Sequence, residues 1–260
     1  MTLIPSTIKA LILDMDGVLW KDSQPIGNLP SLFKKIKSLG LQVVLATNNA
    51  TLSVAMYQQK LASLGVSLAD WQIITSPQAA VYLLQKHFPA PCPVFILGEK
   101  GMHETLANAG YAHSEDASAA VVAGLDRTLT YDKLRTATLL INRGAKFMAT
   151  NLDATLPTPQ GPIPGAGAII AALQTATGVQ PLVAGKPQPT MYQLAFERLN
   201  LAPHQTLAVG DRLETDIAGG IAANCQTALV LSGISTELEA SQSPYKPTLI
   251  TRDLSELLGL

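Results

Sequence analysis

Two aspartates, Asp14 and Asp16, directly follow a short apolar run near the beginning of the chain. This run, residues 8–13, is typical of a strand that is buried on both faces. Because side chains two residues apart in an extended segment point to the same side, we expect both carboxylates to face one way. Two like charges this close repel each other unless a cation or a shared proton neutralises them. The pattern therefore favours cation or proton chemistry at a strand end, although an ordinary polar turn is the alternative.

Polar residues follow two further apolar segments in the same manner. Thr47, Asn48 and Asn49 come after the segment 41–46, and Asp211 and Asp216 come after the segment 206–209. In open sheets of parallel strands, such strand ends meet at one edge, where ligands bind. Carboxylate and amide groups at one edge suit Mg²⁺ together with a phosphate.

The elements that must position these residues alternate between strand and helix patterns. This alternation predicts an α/β fold with a Rossmann-like, doubly wound parallel sheet. A proline-rich stretch at residues 89–93 interrupts the pattern, and the alternation then begins again. We predict a catalytic core formed by residues 1–81 and 182–260, with a smaller α/β cap domain inserted at residues 82–181.

Composition limits the class of protein. Of the 260 residues, 47% are hydrophobic and 14% are charged, which is enough apolar material for a buried core. The formal net charge of −1 and the absence of a basic block give no sign of nucleic-acid binding. No apolar stretch has the length of a membrane span, and the first residues do not form a signal-peptide pattern. Cys92 and Cys225 lack metal-type spacing, so we expect a protein of the reducing cytoplasm.

Four motifs occur in order along almost the entire chain, and together they resemble those of a known superfamily. They are Asp14-Met15-Asp16-Gly17-Val18, Thr47-Asn48-Asn49, Lys186-Pro187 and Gly210-Asp211 followed by Thr215-Asp216. The set resembles the haloacid dehalogenase-like hydrolases and, more narrowly, their 4-nitrophenylphosphatase or NagD-like branch. The resemblance implies a phosphatase with an inserted cap that closes over the site, excludes water and selects the substrate.

The resemblance also assigns a role to each motif residue. Asp14 would attack phosphorus and form a phosphoaspartate, while Asp16 would protonate the leaving alcohol and then take a proton from water. Lys186 would neutralise the nucleophile and stabilise charge in the transition state. The Thr47 hydroxyl and the Asn48 backbone N–H would hold phosphate oxygens.

A magnesium ion is the implied cofactor. Asp14, the backbone carbonyl of Asp16 and Asp211 would hold Mg²⁺. Asp216 has two interpretations, since it would either bind the metal through water or cap the following helix. In the inserted region, Arg127, Asn151 and Asp153 either face the leaving group or form polar turns.

The implied partner is a small phosphorylated metabolite, and the cap would also form a homodimer. Sugar phosphates, phosphoglycolate, nucleotides and pyridoxal phosphate all fit this branch. Two alternatives remain at this point. One is different chemistry on the same fold, either phosphonate cleavage or dehalogenation. Asp16 and Asp211 argue against dehalogenation, which needs neither a leaving-group acid nor a metal. The other alternative is a non-catalytic protein that binds a phosphorylated metabolite.

Overall fold

A computed structural model describes residues 2–22, 24–156, 158 and 160–260, and strands and helices alternate along most of this length. The first third contains β1 (Ala10–Leu13), β2 (Trp20–Lys21), β3 (Gln24–Pro25), α1 (Leu29–Ser38), β4 (Gln42–Thr47), α2 (Val54–Ser63) and β5 (Ile73–Thr75). The middle contains α3 (Ser76–His87), β6 (Val94–Leu97), α4 (Lys100–Asn108), β7 (Ala120–Ala123), α5 (Tyr131–Asn142), β8 (Lys146–Ala149), β9 (Thr155–Leu156), β10 (Ile163–Pro164), α6 (Ala166–Thr177) and β11 (Leu182–Val183). The last part contains α7 (Thr190–Leu199), β12 (Thr206–Gly210), α8 (Ala218–Ala222), β13 (Gln226–Val230), α9 (Glu237–Gln242), β14 (Leu249–Thr251) and α10 (Leu254–Leu258).

The larger sheet has six strands in the order β14-β13-β12-β1-β4-β5. Strand β1 pairs in parallel with both β12 and β4, and all four of its residues are buried. The chain builds the sheet outward from β1 through β4 and β5, and later builds the other side through β12, β13 and β14. The strand order therefore reverses between β1 and β12. This is the switch point at which open α/β sheets bind their ligands.

The smaller sheet has four strands in the order β11-β8-β7-β6. Strand β8 pairs in parallel with β11 and β7, and β7 pairs in parallel with β6. Apolar side chains from β6, β7 and β8 pack with those of α5 and α6 into a separate core, which includes Phe95, Val121, Phe147 and Ile170. The predicted α/β fold class with parallel sheets and flanking helices is confirmed.

Packing divides the described chain into two units. The first comprises residues 1–47, 55–74 and 186–260, and the second comprises residues 48–54 and 75–185. The predicted insertion at 82–181 falls inside the second unit, whose limits differ from the predicted ones. Strand β11 was expected to begin the core again, but Leu182 and Val183 pair with Met148 and Ala149 of β8. The C-terminal limit of the second unit therefore depends on pairing between strands that are distant in the sequence. The local pattern of apolar and polar residues carries no information about such pairing.

The helices and the cysteines give two further observations. In the part of the chain that the structure describes, no helix is both long enough and apolar enough to span a membrane. Cys92 and Cys225 are both free thiols and are partly buried.

Candidate active site

Four of the predicted site residues lie together in the first unit, and β1 and β12 position two of them. Asp14 directly follows β1, and Asp211 directly follows β12. The backbone N–H of Asp14 donates to Val209 at 2.8 Å, which extends the pairing of the two strands to their ends. Every residue of both strands is buried, so each carboxylate is carried on a rigid support at the switch point.

Lys186 connects two of the carboxylates. Its Nζ lies 2.6 Å from Oδ1 of Asp14 and 2.5 Å from Oδ1 of Asp216, and it also donates to the Ala46 carbonyl at 2.9 Å. Lys186 is only 3% exposed, so these acceptors take the place of water around the ammonium group. The cluster therefore fixes a cation directly beside the predicted nucleophile.

A loop that the sequence analysis missed holds Asp211. Its Oδ2 accepts the backbone N–H of Ile234 at 2.8 Å. Gly17 and Gly233 lie so close that a Cβ on either would overlap the Asp211 carboxylate, and Gly17 also has a φ of +82°. Both positions therefore require glycine. The loop follows β13 at the same sheet edge, and this placement is the signal that could have identified it.

Asp216 lies in a π-helical turn formed by Leu213–Ile217. Its Oδ2 accepts the backbone N–H of Arg212 at 3.1 Å, while its Oδ1 faces Lys186. The cap position of α8 is Ile217, which makes no side-chain cap hydrogen bond. The π-helical turn places the buried carboxylate of Asp216 in the cluster.

The donor set fits a divalent cation. One carboxylate oxygen from each of Asp14, Asp211 and Asp216 can be chosen such that all three lie within 4.8 Å of one another. All three residues are buried, and Lys186 offsets only one of their charges, which leaves two negative charges to be neutralised. A hard dication with oxygen ligands supplies that charge.

Burial and neighbouring charges shift the pKa values of Asp14 and Lys186. Burial raises the pKa of the Asp14 carboxyl, the Lys186 charge opposes the rise, and nearby acids reinforce it, so that the pKa lies well above its usual range. Burial alone would lower the pKa of Lys186, but Asp14 and Asp216 outweigh it and hold that pKa well above its ordinary value. Lys186 therefore stays charged.

Asp211 gives a prediction for the pH dependence of stability. Burial, together with the charge of Asp216, raises the pKa of Asp211 from 3.8 to about 6. The folded, metal-free protein thus binds this proton more tightly than the unfolded chain does. Its free energy of unfolding should fall as the pH rises from about 4 to above 6, by roughly 2 to 3 kcal/mol for this group alone. A bound dication should remove this cost.

Thermal unfolding with EDTA and with saturating Mg²⁺, at pH 5 and pH 7.5, measures the effect. We expect Mg²⁺ to raise the unfolding midpoint more at pH 7.5 than at pH 5, because at the lower pH the cation must displace a proton. Comparing the two conditions at each pH cancels titrations elsewhere in the chain. An equal increase at both pH values would contradict the interpretation, and Asp211→Asn should reduce the pH dependence of the increase, while Asp14, whose pKa is also raised, maintains the remainder.

Asp16 lies apart from this buried cluster. Its side chain is exposed, and its Oδ1 accepts the indole N–H of Trp20 at 2.9 Å. Trp20 is fully buried, and the Lys60 ammonium lies 3.8 Å from the centroid of its ring. An exposed carboxylate can exchange protons with solvent or with a substrate. The sequence analysis missed Trp20, whose position four residues after Asp16 was the available signal.

Thr47 and Asn48 fall on either side of the division between the two units. Thr47 is the last residue of β4, the neighbour of β1, and it is buried at the same sheet edge as Asp14. Asn48 belongs to the second unit, where its carbonyl accepts hydrogen bonds from Ser76 and Asn151. The chain passes from the first unit to the second at this peptide bond.

The candidate residues of the second unit follow the carboxyl ends of its strands. Arg127 comes after β7 and forms a bidentate ion pair with Glu99, in which Nη2 lies 2.7 Å from Oε2. Asn151 and Asp153 come after β8, where the Asn151 side chain accepts the Asp153 N–H at 3.0 Å. The Arg127 and Asn151 side chains thus have partners within their own unit.

Comparison with known protein families supplies independent information. Residues 11–112 match the haloacid dehalogenase-like hydrolase family, and residues 183–257 match a second family described as HAD-hydrolase-like. An acid sugar phosphatase from Staphylococcus saprophyticus is 33% identical over 251 residues, which cover 96% of each chain. The first family match includes Asp14 at the end of β1, and the second includes Asp211 and Asp216 after β12.

Two solved structures share the whole fold. A 4-nitrophenylphosphatase from Thermotoga maritima is 32% identical with a TM-score of 0.93, and the match covers 98% of this chain and 97% of that one. A glycerol phosphate phosphatase from Mycobacterium tuberculosis, solved in complex with magnesium, is 35% identical with a TM-score of 0.89 and coverages of 96% and 76%. This chain therefore belongs to the haloacid dehalogenase-like hydrolases, among the phosphatases of the 4-nitrophenylphosphatase branch.

Proposed function

We propose that this chain is a Mg²⁺-dependent phosphomonoesterase that acts on small phosphorylated metabolites through a phosphoaspartate on Asp14. The observation that carries the proposal is the buried cluster at the switch point. It joins Asp14 to Lys186 at 2.6 Å and brings oxygens of Asp14, Asp211 and Asp216 within 4.8 Å of one another. This combination provides a carboxylate nucleophile, a fixed cation and a set of oxygen ligands.

Asp14 begins the proposed reaction. A carboxylate oxygen attacks phosphorus, a P–O bond forms, and the bond between phosphorus and the leaving alcohol oxygen breaks. In the second step water attacks the same phosphorus, phosphate departs, and the Asp14 carboxylate is regenerated. The Lys186 ammonium reduces repulsion between two anions in the first step and stabilises the charge that develops on the equatorial oxygens.

Asp16 supplies and collects the protons. Its carboxyl gives a proton to the leaving oxygen, and the resulting carboxylate accepts one from the water of the second step. Its exposure and the hydrogen bond that it accepts from the Trp20 indole support this exchange. Thr47 and Asn48 have the roles that the family resemblance implies, which are to hold phosphate oxygens through a hydroxyl and a backbone N–H.

Asp14, the backbone carbonyl of Asp16, Asp211 and Asp216 would hold Mg²⁺, with Asp216 contributing through a water molecule. When bound, the ion would neutralise the approaching phosphate and polarise its oxygens. The acid cluster of this chain and the magnesium complex of the M. tuberculosis relative support this choice of cation. We further propose that the second unit selects the substrate and that the protein works in the cytoplasm.

Asp16→Asn tests the division of labour between the two acids. We expect kcat/KM for an alkyl phosphate, whose alkoxide needs a proton to leave, to fall by about 10²- to 10⁴-fold. The kcat/KM for 4-nitrophenyl phosphate should fall much less, because nitrophenolate leaves without protonation. The ratio is taken from kcat/KM because this constant excludes the hydrolysis of the phosphoaspartate, a step that both substrates share and in which Asp16 also acts. Equal losses for the two leaving groups would show that Asp16 is not the leaving-group acid.

The activity itself is tested by phosphate release from 4-nitrophenyl phosphate and from a panel of sugar, triose and nucleotide monophosphates. Purified, EDTA-treated protein should be inactive and should regain activity with Mg²⁺. The metabolite with the highest kcat/KM then defines the substrate class. Absence of metal-dependent release across the panel would contradict the proposal.

A further inference from the structure

We propose that Asn151, acting together with Ser76, is a positioning residue that fixes the backbone of Asn48 for phosphate binding. The inference deepens the proposed function and rests on it, because it takes the Asn48 N–H as a phosphate donor. It gives Asn151 a role that differs from contact with the leaving group.

The Asn48 carbonyl receives two side-chain hydrogen bonds. Nδ2 of Asn151 donates to it at 2.8 Å, and the hydroxyl of Ser76, the first residue of α3, donates to it at 2.6 Å. Both donors are buried, with exposures of 4% for Asn151 and 0% for Ser76. Two buried donors therefore converge on one carbonyl oxygen, which fills both of its lone pairs.

The side chains form a second connection. The Asn48 amide Nδ2 lies 3.4 Å from each carboxylate oxygen of Asp153. Asp153 is itself held by Asn151, whose Oδ1 accepts the Asp153 backbone N–H at 3.0 Å. Asn151 thus donates from its amide nitrogen to the Asn48 carbonyl. Its amide oxygen accepts from the backbone of Asp153, the residue that faces the Asn48 side chain.

Close packing allows little movement around these contacts. A Cβ at Gly185 would lie 2.6 Å from Oδ1 of Asn48 and 3.2 Å from Cβ of Asn151, and it would overlap the Thr150 carbonyl. Gly185 immediately precedes Lys186 in the sequence. The glycine therefore lets three backbone segments of the second unit approach one another.

These contacts restrict the direction of the Asn48 N–H. The N–H belongs to the peptide that follows Thr47, whereas the carbonyl belongs to the next peptide, and only the two dihedral angles of Asn48 separate them. Fixing both the carbonyl and the side chain restricts those angles and hence the orientation of the N–H. A preorganised donor loses less entropy when an oxyanion binds.

The test compares Asn151→Ala and Ser76→Ala with the unaltered protein in the presence of Mg²⁺. The measurements are the inhibition constant and calorimetric affinity of inorganic phosphate, together with KM and kcat for 4-nitrophenyl phosphate and for a triose phosphate. Inorganic phosphate has no leaving group, so it reports on the phosphate site alone. Ser118→Ala is the matched control, because it removes a 2.9 Å hydrogen bond from a serine to the Ser114 carbonyl in the same unit.

We expect phosphate affinity to weaken about five- to thirtyfold in each variant. Each substitution removes one of the two hydrogen bonds to the buried Asn48 carbonyl. KM for both substrates should rise by the same factor. The double variant should lose less than the product of the two single losses, because both donors serve one carbonyl. Ser118→Ala should leave phosphate affinity unchanged even where its unfolding midpoint falls.

Phosphate affinity within twofold of the unaltered protein in both variants would overturn the proposal. So would a rise in KM confined to the triose phosphate, which would place Asn151 against the leaving group. If the unaltered protein neither hydrolyses phosphate esters nor binds inorganic phosphate, the proposed function fails, and the role of Asn151 fails with it.

Discussion

Replacing Asp14 by asparagine should abolish phosphatase activity while leaving the protein folded. The carboxamide has the shape of the carboxylate but cannot form the phosphoaspartate, so we expect kcat to fall by roughly 10⁴-fold or more. The pKa of Asp14 is raised by burial and by nearby acids, so its charge is unfavourable in the metal-free protein. The free energy of unfolding in EDTA should therefore stay the same or increase.

Asp132→Asn is the control for this substitution. Asp132 lies in α5, is exposed, and forms a surface ion pair with Arg135 at 3.3 Å. Exposed pairs of this kind contribute little, so both activity and stability should be unchanged. An Asp14→Asn protein that turns over at more than a few per cent of the original rate would assign the nucleophile to another group.

Replacing Lys186 by methionine should damage both catalysis and folding. The methionine occupies similar volume but leaves Asp14 and Asp216 buried without their cation. Breaking a buried pair on one side costs about 3 to 5 kcal/mol of stability. The loss of charge stabilisation should lower kcat by about 10²- to 10³-fold. Chemical unfolding in EDTA and steady-state kinetics in Mg²⁺ measure the two effects separately.

Lys133→Met is the control that separates the loss of catalysis in Lys186→Met from the effect of losing any buried ion pair. Lys133 pairs with the buried Asp126 at 2.7 Å in the second unit. We expect that variant to lose stability but to keep its turnover per folded molecule. Full turnover in Lys186→Met would remove the lysine from the proposed reaction, whatever its effect on unfolding.

The fold class and the positions of Asp14 and Asp211 could be predicted because each depends on a local signal. An apolar run followed by a polar residue indicates where a buried strand ends, and parallel strands bring such ends to one edge. Lys186 had no such signal, since its prediction rested on the family resemblance. The catalytic roles of all these residues remain predictions.

Other features depend on contacts that a local pattern does not contain. Asp211 is held by the backbone N–H of Ile234, and a backbone group leaves no mark in the amino-acid sequence. The limit of the second unit depends on pairing of β11 with β8, which begin more than thirty positions apart. The partners of Asn151 appear only once Asn48 and the end of β8 have been brought together by folding.

The stereochemical course at phosphorus tests the phosphoaspartate most directly. Hydrolysis of a phosphate monoester made chiral with oxygen isotopes reports how many displacements take place, since each in-line displacement inverts the configuration. Attack by Asp14 followed by attack by water predicts net retention in the released phosphate. Net inversion would show a single direct attack by water and would contradict the central role of Asp14.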